Sequence, residues 1–132
     1  MSVLDMSAVR PIPEAELERI TQLDGRYKSY ATVMADHALD EARLAERDIR
    51  AGTYRGPLHG VPVAVKDLCF TKGVRTMGGT RALANHVPTF DATVVTRLHA
   101  AGAILLGKLN LTEGAMGGYH PDLAIPVNPW HA

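Results

Sequence analysis

An α/β fold is predicted from three features of the 132-residue chain. Two short apolar runs, Val61–Val65 and Ala103–Leu106, have strand length, and neither shows the alternation of a sheet with one wet face. A helical repeat lies between them, from Asp91 to Ala101. Strand, helix, strand in that order implies parallel pairing through a right-handed crossover.

The elements follow in chain order. Pro13 to Leu23 reads as a helix, with proline at its start and acids in its first turn. Asp24-Gly25 signals a turn, and Tyr30–Met34 a brief strand. Asp36 suits an N-cap for a second helix, in which Ala38, Ala42, Ala45 and Ile49 share one face. Glu46 stands four residues before Arg50, the favourable order for an exposed ion pair, and Gly52 supplies the stop. Pro62 restricts the next strand, since proline fits only at a strand's beginning or on an edge. From Cys69 to Pro88 the pattern is irregular, and glycine is concentrated in this half: only Gly25 and Gly52 precede Gly56 among the twelve glycines. Asp91 suits the cap of a third helix with the apolar stripe Val94, Val95, Leu98 and Ala101, His99 on its outer side and Gly102 as its left-handed stop.

Composition narrows the function classes. Fourteen basic residues balance fourteen acidic ones, with no basic run interleaved with aromatics, so neither nucleic acid nor an anionic membrane is an expected partner. No apolar run reaches the roughly 20 residues a membrane span needs. A single cysteine, Cys69, and an opening segment with Asp5 and no sustained apolar stretch point to a reducing compartment, with the cytoplasm the expected location. The six histidines are scattered and form no H-x-H or H-E-x-x-H pair, so no metal is expected. Gly102-Ala-Ile-Leu-Leu-Gly107-Lys108 has phosphate-loop spacing, but Leu109 stands where Ser or Thr is needed and the intervening residues read as a buried strand. Cys69, with no histidine near it in sequence, reads as a small buried hydrophobe.

Lys66 ends an almost wholly apolar run, His59-Gly-Val-Pro-Val-Ala-Val-Lys-Asp-Leu68. Alternation along a strand sends Lys66 and Asp67 to opposite faces, so they need not neutralise each other. Two readings stand side by side: a strand-end lysine reaching water on its long stem, or a desolvated amine held neutral to act as a base. Holding a lysine neutral near pH 7 takes about 4–5 kcal/mol of destabilisation of its charged form, which only a largely dry site sustains.

Four segments taken together, "GPLHGVPVAVKDL", "GVRTMGGT", "DATVVTRLHAAGAILLGKLNLTEGA" and a closing "NPW", resemble the amino-terminal part of the amidase signature family. The similarity is strong from Gly56 to Trp130 and weak before Arg55. It implies a central mixed or parallel sheet flanked by helices, incomplete in this chain, and one amidase domain whose residues 1–55 are a helical lead-in and 56–132 the glycine-rich catalytic-lysine region. It implies hydrolysis of carboxamide C–N bonds on a small-molecule amide by two serines and a lysine, with no cofactor. The family's lysine matches Lys66; Gly79, Thr80, Lys108, Asn110 and Glu113 match positions expected to support the site. Thr80 stands where the family has serine. The family's glycine- and serine-rich segment follows the "NPW" match, and Ser2, Ser7 and Ser29 lie in no such setting, so the expected nucleophile is not in this chain. A fragment carrying only the base is therefore expected, with a silent or partner-dependent remnant and a piece of a glutamine-dependent amidotransferase as alternatives. Strands without their later partners are expected to self-associate through exposed edges.

Overall fold

The computed structural model describes residues 12–131. Three helices, α1 (Ile12–Tyr27), α2 (Ala35–Arg50) and α3 (Thr93–Ala100), accompany three strands, β1 (Tyr30–Val33), β2 (Pro62–Lys66) and β3 (Ile104–Leu109). The strands form one sheet in the order β1-β3-β2. β2 runs parallel to β3 and β1 antiparallel to it, so the expected α/β architecture with a mixed sheet is present. The sequence suggests that β2 and β3 are interior strands of a sheet completed by later sequence; among the described residues β3 is interior and β2 is an edge that begins with Pro62.

Three aspartates depart from their local sequence signals. Helix α1 continues through Asp24-Gly25 to Tyr27, correcting the expected turn. The Asp24 carboxylate accepts from Ser29 N at 2.6 Å and from Tyr30 N at 3.3 Å, gathering amides beyond the helix end, while Lys28 takes φ 53 to leave the helix. Asp36 is not the cap of α2: Met34 precedes the helix with no side-chain cap, its amide donating to Leu106 O at 2.8 Å, so the helix is launched from the sheet. Asp36 lies in the first turn, where its charge complements the helix dipole. Asp91 likewise leaves the cap position of α3 to Ala92 and accepts from Lys72 N at 2.6 Å. The glycine stops and the surface pair follow the sequence pattern: Gly52 and Gly102 have φ of 81° and 78°, and Arg50 meets Glu46 at 2.6 Å.

The sheet packs on both faces. Leu17, Ala38, Ala45, Ile104 and Leu106 form one core under α1 and α2, the two buried alanines letting α2 lie close to the strands. Met34, Val65, Val95 and Leu105 form the second, joined by Val63, Cys69 and Leu98. β3 is buried on both sides, which is why its sequence does not alternate; burial of each large aliphatic side chain there contributes about 1.5–3 kcal/mol.

A β-bulge interrupts β3. Val63 pairs with Leu105 but Ala64 pairs with Gly107, leaving Leu106 as an extra residue. Partners across a parallel pair point to the same face, as do Val63 and Val65, so Leu105 and Lys108 share a face although three residues apart. Gly107 makes this possible: a Cβ there would run into Thr32 O and stand 3.0 Å from the Tyr30 ring. The Gly107-Lys108 pair thus lies inside a strand, not in a phosphate-binding loop.

Candidate active site

In sheets with parallel strands, ligands bind beyond the carboxyl ends. β2 and β3 end side by side, with Lys66 paired to Leu109, and the Gly78-Gly79 turn and the stretch after β3 reach the same end. Alternation acts as expected: Lys66 is exposed and Asp67 is buried. Asp67 then joins three segments. Its amide donates to Leu109 O at 2.9 Å, its carbonyl accepts from Gly78 N at 2.9 Å, and Oδ2 accepts from Met77 N at 2.9 Å.

Oδ1 of Asp67 faces Lys108 Nζ at 3.2 Å, an ion pair whose orientation falls short of a hydrogen bond. Lys108 is wholly buried and donates to Thr76 Oγ1 at 2.8 Å. Burial pushes its pKa below the ordinary lysine value, opposed by the Asp67 charge. The dry lysine is therefore Lys108, and Lys66, for which the sequence offers a desolvated reading, is exposed. The bulge decides this, because it turns Lys108 away from the α1–α2 core and onto the face of Asp67.

The glycine turn closes over the same strand end. Gly78 and Gly79 have φ of 59° and 71°, and Gly78 O accepts from Gly114 N at 2.8 Å. A Cβ on Gly79 would stand 2.7 Å from both Leu111 O and Thr112 O, so main chain packs on main chain at this point. The Thr80 hydroxyl accepts from Ala82 N at 3.3 Å, capping its own turn. Asn110 donates from Nδ2 to Lys28 O at 2.7 Å and from its amide to Ser29 O at 2.8 Å, holding the α1–β1 connection against the end of β3. Glu113 opens an exposed turn in which Gly114 and Ala115 have φ of 59° and 61°, and its amide donates to Gly118 O at 2.9 Å.

Ser29 precedes β1, and β3 stands between β1 and β2, so about 10 Å separates its strand position from that of Lys66. Ser2 and Ser7 lie outside the described residues. Cys69 is free and half-buried, in the turn after β2 with its amide donating to Lys66 O at 2.9 Å. His99 is not on an open surface: its Nδ1 stands 2.9 Å from Glu41 Oε1, and Glu41 Oε2 accepts the Leu105 amide that β1 ends too early to pair. Among the described residues, no cluster of three or more His, Cys, Asp or Glu side chains is placed to hold a metal, and no helix is long and apolar enough to cross a membrane.

Asp67 and Thr76 are the site residues that sequence reasoning passed over. Alternation already sent Asp67 away from Lys66; what it did not supply was the partner.

The amidase family model matches residues 12–132. A putative amidase, AmiD, of Mycobacterium tuberculosis is 55% identical over 119 residues, covering 90% of this chain and 25% of that protein. A glutamyl-tRNA(Gln) amidotransferase subunit of Anaeromyxobacter sp. (strain K) is 48% identical over 119 residues, covering 89% and 24%. Among solved structures, the peptide amidase of Stenotrophomonas maltophilia superposes with a TM-score of 0.72 at 41% identity, covering 77% of this chain and 21% of that one. An amidase family protein of Bacillus anthracis reaches a TM-score of 0.75 at 30% identity, covering 83% and 23%. The chain spans about a quarter of the length of the curated relatives it matches.

Proposed function

The chain belongs to the amidase family, and from that premise we propose that it supplies the lysine base of an amide C–N hydrolase whose serines lie in further polypeptide. In this reading residues 1–132 are the amino-terminal part of one amidase domain, working in the cytoplasm on a small-molecule amide. The observation that carries it is the position of Lys66: an exposed amine at the carboxyl end of β2, beside the end of β3, above a strand terminus clamped on its other face by Asp67. β2 is one of the two edges of the described sheet, where downstream sequence or a second copy would dock.

The chemistry follows. Lys66 accepts a proton through a bridging serine while a second serine attacks the amide carbonyl. The tetrahedral intermediate expels ammonia or an amine, leaving an acyl-enzyme, and water releases the carboxylic acid. Gly79, Thr80, Lys108, Asn110 and Glu113 act as support, holding the strand ends and the glycine turn that surround the base.

The test separates the base from the nucleophile. This chain joined to the remaining three-quarters of the mycobacterial relative should release ammonia from a simple carboxamide, while the 132-residue chain alone should give none. Reproducible turnover by the chain alone, or a folded but inert chimera, would contradict the proposal. The 48% identity to an amidotransferase component supports a second reading, in which the ammonia is passed to an acceptor instead of being released. Glutamine as the preferred donor in the chimera assay would favour it.

A further inference from the structure

Resting on the assignment of Lys66 as base, we propose that Asp67, Lys108 and Thr76 form a buried positioning device that fixes the direction in which Lys66 leaves the sheet. A dry ion pair is weak evidence for stability, since apolar residues of similar volume commonly serve as well. What such a pair adds is direction, and four observations show where it is applied.

Lys108 reaches Asp67 only because the bulge changes the phase of β3, and the bulge needs a glycine at position 107. Asp67 is held at its amide, its carbonyl and both carboxylate oxygens, by Leu109, Gly78, Met77 and Lys108 in turn. Lys108 is held in turn by Thr76 Oγ1 at 2.8 Å, a hydroxyl that itself stands 3.1 Å from Val74 O. Val65, on the other side of Lys66, is buried in the second core. Lys66 thus stands between two immobilised neighbours, and its Cα–Cβ bond has one direction available, opposite to theirs. Among the described residues the stem beyond is exposed; its root is fixed.

Lys108 and Asp67 touch no reacting atom in this scheme. They act through the backbone at position 66, so their loss should displace the base without removing it. A displacement of about 1 Å is enough to lower turnover about 100-fold.

The experiment uses the chimera described above, with Lys108→Met, Asp67→Asn, Thr76→Val and Thr76→Ser, and Lys66→Ala as the reference. Lys108→Met and Asp67→Asn should lower kcat about 100-fold with KM nearly unchanged. Thr76→Val should do the same in part, and Thr76→Ser, which keeps the hydroxyl, should restore the original kcat. Should Lys108→Met fail to fold, the Thr76 pair carries the test, because valine is close to threonine in shape. If Lys66→Ala abolishes turnover while Lys108→Met and Thr76→Val keep the kcat of the unsubstituted chimera, the positioning proposal fails and the base assignment stands. If Lys66→Ala itself leaves turnover intact, both fail.

Discussion

Lys66→Ala in the chimera should lower kcat by about four orders of magnitude or more, with a small change in KM. A serine hydroxyl is a poor nucleophile at neutral pH, and removing its proton acceptor leaves only binding and oxyanion stabilisation to accelerate the reaction. Four orders of magnitude correspond to about 5.4 kcal/mol of lost transition-state stabilisation. Lys66→Arg sharpens the expectation. A guanidinium keeps the positive charge but cannot give up its proton in a protein, so a base at this position is lost as completely as with alanine. Arginine retaining substantial turnover would mean that position 66 contributes charge and not proton transfer. Steady-state kinetics on the three proteins, with folding checked by circular dichroism, decides between these roles.

Gly79→Ala should lower stability strongly. The backbone there is left-handed, at φ 71, which costs an L-residue about 1–2 kcal/mol. The added methyl would also meet Leu111 O and Thr112 O at 2.7 Å, and both are main-chain atoms that cannot swing aside. Overpacking of this kind adds about 1–3 kcal/mol, giving a total of about 2–5 kcal/mol and a fall in Tm on the order of 10 °C for a chain of this size. Gly25→Ala is the contrasting control. Gly25 lies in α1 with nothing within 4 Å of an added Cβ, so alanine there should be neutral or stabilise by up to about 1 kcal/mol. Thermal melts of the two variants should therefore move in different directions. Equal melting temperatures would mean that the glycine turn is not pinned against Leu111 and Thr112.

Much of the fold is legible in the sequence, for local reasons. The order of strand, helix and strand follows from apolar runs and a 3.6-residue repeat, and Gly52 and Gly102 mark helix ends because only a left-handed residue turns the chain there. The aspartates are less legible. Asp91 sits next to a plausible local donor at the start of α3, yet it accepts from the Lys72 amide, a partner 19 residues away that the adjacent sequence does not mark. Asp24 binds within its own connection, accepting from Ser29 and Tyr30, so the helix ends at Tyr27 and not at Asp24-Gly25.

The two lysines make the same point within the site. Lys66 and Lys108 both close an apolar strand run, and periodicity treats them alike. One extra residue at Leu106 sends Lys108 into the interior beside Asp67, while Lys66 keeps the opposite face and reaches solvent. Gly107 was the available clue, since a glycine inside a strand marks a bulge or a close backbone approach.

The most direct test of Lys66 as a base is the crystal structure of the chimera with its serine-bearing segment in place. A base requires the Lys66 amine within about 3 Å of a serine hydroxyl oxygen, with the remainder of the side chain covered by the added polypeptide. An amine still standing in bulk water, with no hydroxyl in reach, would contradict the assignment.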